Sequence, residues 1–146
     1  MEELRGEETL LRFRERTEPD PAKHWWVPAL HYDVVRIDKM ESVGSISLRL
    51  GYTTSLVRYG GNIGYGIDEQ HRGNRFAAKA CKLLLSVAKS HGMDVIWITC
   101  NPDNLASRRT CEILGATLVE IVDLPPDNEQ YEQGDRQKCR FRLIVY

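Results

Sequence analysis

Hydrophobic positions along this chain switch between two periods. In residues 29–37 (ALHYDVVRI) and 43–50 (VGSISLRL) apolar and polar side chains alternate, with Ile46, Leu48 and Leu50 set against Ser45, Ser47 and Arg49. That period predicts a pair of half-buried strands, and the polar link 38–42 reads as their hairpin connection. Over residues 74–91 the period lengthens. Phe76, Ala80, Leu83, Leu84 and Val87 recur at helical spacing while Lys79, Lys82, Ser86 and Lys89 fall on the opposite side. An amphipathic helix is predicted there, with Gly92 as its C′ residue. Residues 95–100 (VIWITC) form a short apolar run of the buried-strand kind. A second helix is predicted over 105–114, capped by Asp103 or Asn104 and ended by Gly115. Strands are expected at 117–124 and at 138–146, with the acidic segment 125–136 and residues 51–60 as loops. Near the start, Leu4, Leu10, Leu11 and Phe13 are expected to share one face of a short helix across 7–16, stopped by Glu18-Pro19-Asp20-Pro21. The succession of strand, helix and strand around the long helix predicts an α/β fold with parallel neighbours and a right-handed crossover.

The stretch 61–80, GNIGYGIDEQHRGNRFAAKA, stands where a strand passes through a polar turn into that helix. Amides of a first helical turn have no partner inside the helix, and the macrodipole adds a partial positive charge there. Gly73 would let a diphosphate come close to the backbone. The stretch is not a P-loop, because no Lys-Ser or Lys-Thr follows a suitable loop in it, and it lacks the G-x-G-x-x-G of a dinucleotide fold.

Composition narrows the function classes. A chain of 146 residues is one domain by size and can bury a real core, and residues 1–28 read as a short N-terminal region before a core at 29–146. Net charge of −1 implies no general pull toward nucleic acid or anionic lipid. No apolar run approaches the roughly 18 residues of a membrane span, and the charged N-terminus has no signal core. Cys81, Cys100, Cys111 and Cys139 are widely spaced, so reduced thiols in a cytoplasmic protein are expected, with no metal site.

Two motifs then carry a resemblance. Ile63-Gly64-Tyr65-Gly66-Ile67 followed by Arg72-Gly73-Asn74-Arg75-Phe76-Ala77, and thirty residues on the run Asn104-Leu105-Ala106-Ser107 through Glu112 to Gly115-Ala116, resemble the acyl-CoA loop and the N-x-A-S-x-x-x-x-E-x-x-G-F pattern of the GNAT acetyltransferases. The closest form is that of the branch that acetylates ribosomal-protein N-termini. The resemblance covers roughly residues 30–146. It implies a central mixed, mostly antiparallel twisted sheet with one splayed parallel strand pair and flanking helices. It further implies acetyl-CoA as cosubstrate, bound at Ile67, at Arg72, Gly73, Asn74, Arg75, Phe76 and Ala77, and at Asn104, which contacts the pantetheine or fixes the strand-to-helix turn. The N–H of Ile67 or a close neighbour would hold the thioester carbonyl. In the family a strand and two helices cover the acceptor cleft; here few residues are available for them.

The implied reaction is direct attack of a primary amine, on a small molecule or a protein N-terminus, in a ternary complex. A neutral amine must form, which calls for a base or a water chain. The family's tyrosine acid is replaced by Cys111, and Thr99 stands where some relatives carry a glutamate. Candidate bases are His31, Tyr65 and Glu69. Those departures keep a second reading open, a non-catalytic acyl-CoA-binding module. A third is a nucleotide-binding domain of another α/β class. Trp25 and Trp26 are expected to serve as a lid or a homodimer contact, or to wall the acceptor pocket.

Overall fold

The computed structural model describes residues 3–23 and 26–145. Two antiparallel sheets share one core. The larger runs in the order β1 (Glu3–Arg5), β2 (Thr9–Thr17), β3 (Ala29–Arg36), β4 (Glu41–Arg49) and β5 (Ile63–Ile67). The smaller runs β6 (Val95–Cys100), β8 (Gln137–Ile144) and β7 (Thr117–Asp123). Helix α1 (Phe76–Ser90) joins the sheets and α2 (Leu105–Leu114) follows β6, while α3 (Glu129–Glu132) is a single turn in the acidic loop.

The expected helix across 7–16 is strand β2, paired on both sides with Leu4 opposite Leu11 and Phe13 opposite Tyr32. The charges explain the correction. Arg12, Arg14 and Arg16 alternate with Leu11, Phe13 and Glu15, a period of two that a helix would scatter around its circumference. Residues 51–60 are not plain loop either, because a π-helical turn at Leu56–Gly60 packs against β6 and β8. Helix α1 buries Phe76, Ala80, Cys81, Leu84 and Ala88 against Leu11, Leu30, Tyr32, Ile46, Leu48 and Ile63 of the larger sheet and Ile96 and Ile98 of β6. The four cysteines are free and buried.

The expected parallel pair, β5 and β6, does not form a ladder. The two strands touch at one point and part. That point is Asn62, fully buried. Its backbone N–H donates to the Trp97 carbonyl (2.6 Å) and its carbonyl accepts from the Arg49 N–H (2.7 Å). Its side-chain Nδ2 donates to the carbonyls of Arg49 (3.1 Å) and Gly51 (2.9 Å), and its Oδ1 accepts from the Trp97 N–H (2.8 Å). The side chain thus supplies the ladder bonds that the backbone gives up when its N–H turns toward β6. Gly61 lets the chain make this crossing: its φ is +74°, and a Cβ there would lie 3.0 Å from the Trp97 carbonyl oxygen.

Replacement of Asn62 by Ala would strand the Trp97 N–H and two carbonyls in the interior, at a cost of about 1–3 kcal/mol for each unpaired group that water does not reach. Asn62→Ala is expected to lose roughly 3 kcal/mol in urea denaturation. Asn62→Asp should do no better, since a carboxylate cannot donate to Arg49 and Gly51. A loss under about 1 kcal/mol in both variants would show that the junction is held by other contacts.

Candidate active site

The register of β4 and β5 decides which peptide groups remain for a ligand. Arg49 N–H bonds the Asn62 carbonyl (2.7 Å), and Asp68 N–H bonds the Val43 carbonyl (2.8 Å). Between these lie the opposed pairs Ser47–Gly64 and Ser45–Gly66. Bonded and non-bonded pairs alternate in an antiparallel ladder. Gly64 and Gly66 therefore turn their peptide groups toward β4, and Ile63, Tyr65 and Ile67 turn theirs toward the other edge. β5 ends its sheet and β6 begins the other, so this edge faces the gap that opens beyond Asn62. The Ile67 carbonyl is met by Arg72 Nε at 3.0 Å.

The gap leads to the start of α1. A 3-10 turn at Glu69–His71 follows β5, and Arg72 N–H closes onto the Glu69 carbonyl (3.3 Å). Beyond it, Gly73 has φ +86°, with nothing within 4 Å of where a Cβ would stand. Arg75 takes the left-handed N-cap position without a side-chain capping bond. Lys79 N–H makes the first bond of the helix, to the Arg75 carbonyl (3.0 Å). The amides of 73–78 donate to no group among the described residues. Asn74 folds its side chain back onto the His71 carbonyl (3.1 Å). Phe76 turns its ring into the core, while Arg72 and Arg75 stay exposed beside the free backbone amides.

Across the gap stands α2. Asn104 caps it, Oδ1 accepting from the Ser107 N–H (3.1 Å), so its side chain fixes the strand-to-helix turn. Tyr65 reaches from β5 to α2, its hydroxyl 3.0 Å from Ser107 Oγ. Burial raises the Tyr65 pKa, against a lowering by the Ser107 bond. The phenol therefore stays protonated at neutral pH. Cys111 is fully buried, and burial pushes its thiol pKa up, with neighbouring Cys100 and Cys81 adding to the effect. It packs the core between the helices and offers no ready proton.

The remaining candidates stand elsewhere than at the α2 contact of Tyr65. His31 is on the sheet face opposite α1, its Nε2 2.9 Å from Thr17 Oγ1. Glu69 is exposed on the 3-10 turn. Thr99 is tied by Oγ1 to the Tyr59 carbonyl (2.8 Å). Trp25 lies outside the described residues, and Trp26 is exposed beneath the ammonium of Lys23, 4.3 Å from its ring centroid. No three His, Cys, Asp or Glu side chains among the described residues cluster to hold a metal, and no helix of these residues is long and apolar enough to cross a membrane.

Sequence reasoning missed two residues here. Asn62 follows two glycines, and nothing local in the sequence marks it as fully buried and fully bonded. Arg49 was only a polar alternate. Its guanidinium lies beside Gly64 and donates to the carbonyls of Gly60 (3.2 Å) and Gly61 (3.0 Å).

Comparison with known proteins agrees with this arrangement. The sequence model of the acetyltransferase (GNAT) domain matches residues 3–117, which extends the likeness into the N-terminal strands. No curated protein sequence matches the chain. Solved structures share the fold at low identity. The ribosomal-protein-S5-alanine acetyltransferase from Vibrio fischeri is 14% identical with a TM-score of 0.70, covering 98% of this chain and 96% of that one. A GNAT-family acetyltransferase from Bacillus anthracis is 19% identical with a TM-score of 0.63, covering 79% of this chain and 66% of its own. The microcin C7 self-immunity acetyltransferase, solved in complex with acetyl-CoA and AMP, is 18% identical with a TM-score of 0.63, covering 80% and 61%. This chain is thus shorter than two of these three. With the domain match spanning β1 to the start of β7, and both motifs on the elements that need them, the chain belongs to the GNAT acetyltransferase family.

Proposed function

We propose that this domain transfers the acetyl group of acetyl-CoA to a primary amine by direct attack within a ternary complex. The observation that carries the reading is the unpaired edge of β5 facing a gap that ends at the uncapped amides of 73–78. In this reading the pantetheine lies along that edge as an added strand, and the diphosphate sits on the loop amides, where the α1 macrodipole favours negative charge. The N–H of Ile67 or Tyr65 meets the thioester carbonyl, and its bond strengthens as charge grows on that oxygen in the tetrahedral transition state. The attacking nitrogen must be neutral, with a pKa of about 8 for an α-amino group and about 10 for an alkyl amine. Its proton leaves through water, as neither Tyr65 nor Cys111 is fit to take it. The departing thiolate, of thiol pKa near 8.5, takes a proton from the Tyr65 hydroxyl, which regains one from the water that carried off the amine's proton. Holding both reactants in line supplies much of the rate.

The test is release of free CoA, followed with a thiol reagent, over a panel of amines. The protein's own thiols give little background, because burial raises the pKa of Cys81 to about 12 and that of Cys100 to about 11. Turnover with some amine supports the reading, and absence of acetyl-CoA binding in calorimetry would end it. The buried Cys111 and the tethered Thr99 favour a second reading, a non-catalytic acyl-CoA-binding module. Binding without turnover over the whole panel would select it.

Two variants separate the parts of the mechanism. Asp tolerates the left-handed backbone of Gly73 better than most residues do, so Gly73→Asp should fold and yet lose at least about tenfold in CoA affinity by charge repulsion. Gly73→Asn, of the same shape without the charge, should lose much less; equal losses would mean that strain, not charge, is responsible. Tyr65→Phe should lower kcat about tenfold with CoA affinity nearly unchanged. Ser107→Ala breaks the same hydrogen bond but keeps the phenol, and should leave kcat within about threefold. If the two variants behave alike, the Tyr65 hydroxyl has no part in proton transfer.

A further inference from the structure

The face of the larger sheet turned away from α1 is not used by the acetyl-transfer reading above. Register places Glu15, His31, Ser47 and Gly64 in one row across β2 to β5, and Asp33, Ser45 and Gly66 in the next. No helix covers this face among the described residues, and its floor of serines and glycines leaves a trough of about 530 Å³. The trough borders the gap along β5, because Gly64, Tyr65 and Gly66 line it.

Arg49 stands in this trough close to the point where the sheets part. Its Nη1 holds the Gly60 and Gly61 carbonyls. Its Nε and Nη2 donate to nothing among the described residues, and none of their ion pairs includes it. Burial lowers its pKa with no carboxylate to offset the effect. The trough's other arginine, Arg14, already has Asp33 at 3.5 Å. Gly64 reserves the room for the guanidinium, since a Cβ there would lie 2.8 Å from Arg49 Nη2. A half-desolvated guanidinium with the free side of its fork toward a cavity is matched by a planar anion that accepts two parallel bonds.

Resting on the acetyl-transfer reading, we propose that this trough is the acceptor site and that Arg49 binds a carboxylate of the acceptor. The substrate class is then a small amine carrying a carboxylate a few atoms from its nitrogen, a free amino acid or a close analogue. With the carboxylate on Arg49, such a molecule reaches the β5 edge across Gly64 without meeting a side chain. A protein N-terminus has its first α-carboxyl consumed in a peptide bond, so only an acidic side chain near its start could take this place.

The experiment compares free amino acids with their carboxamides and with butylamine as acceptors, for the native chain and for Arg49→Gln and Gly64→Ala. The native protein should prefer each acid over its amide by about tenfold or more in kcat/KM, the effect of one charge-assisted hydrogen-bonded pair. Arg49→Gln should abolish the preference by raising KM for the acids more than for their amides or for butylamine, whatever its effect on overall activity. Gly64→Ala, which keeps the charge but presses on the guanidinium, should reduce it, and serves if Arg49→Gln folds poorly. Acids and amides used equally well by the native chain, or a preference that survives both variants, would overturn the assignment of Arg49 while leaving acetyl transfer intact. Absence of turnover with every amine would instead overturn the transfer reading itself, and this proposal with it.

Discussion

One buried amide decides the shape of this molecule. Two sheet edges brought together by a strand–helix–strand crossover would ordinarily zip into one continuous ladder, since unpaired peptide groups are costly to bury. Asn62 prevents this and satisfies everything it touches. Its backbone N–H serves β6 while its side chain fills the vacated places, donating to the Arg49 and Gly51 carbonyls and accepting from the Trp97 N–H. One residue therefore belongs to both sheets, and the strands beyond it are free to diverge. No shorter polar side chain has both the two donors and the acceptor this requires.

From that junction the rest of the site follows. The divergence leaves the Tyr65 and Ile67 amides on an open edge, and the alternation of the ladder ensures that these, not the glycines, face the gap. The glycines have a different consequence. Side chains at 64 and 66 would stand on the face away from α1, so their absence makes the trough and seats the Arg49 guanidinium. Tyr65 points the other way, to Ser107 on α2. Three successive residues of a short strand thus divide three tasks between an edge and two faces.

Much of this was legible beforehand. Helices α1 and α2 and strands β3, β4 and β6 follow the apolar periods, because at these positions burial and local preference agree. The N-terminal segment misled for a physical reason. Leu10, Leu11 and Phe13 fit a helical face as well as a strand, and only the arginines between them carry the two-residue period. The free amides at the start of α1 were legible, since glycine and a helix boundary leave marks in sequence. The site was not legible where distant residues meet. Nothing local tells that Asn62 bonds Trp97, that Tyr65 reaches Ser107, or that Arg49 lies over Gly64, for these are long-range pairings that register alone fixes.

The missing acid and base of the sequence pattern acquire a different meaning in this setting. A fully buried Cys111 and a Thr99 held by the Tyr59 carbonyl mean that these two positions contribute packing, while the polar contact across the gap is that of Tyr65 on β5 with Ser107 on α2. Such a redistribution is chemically tolerable because the reaction asks little of its catalyst beyond placement. Thiolate is a competent leaving group, and an amine of pKa about 8 is partly neutral at physiological pH. What must not be lost is the alignment of amine and thioester, worth many orders of magnitude when reactants are held in near-attack geometry. In the proposed reaction, a strand anchored at a fully bonded asparagine serves that placement.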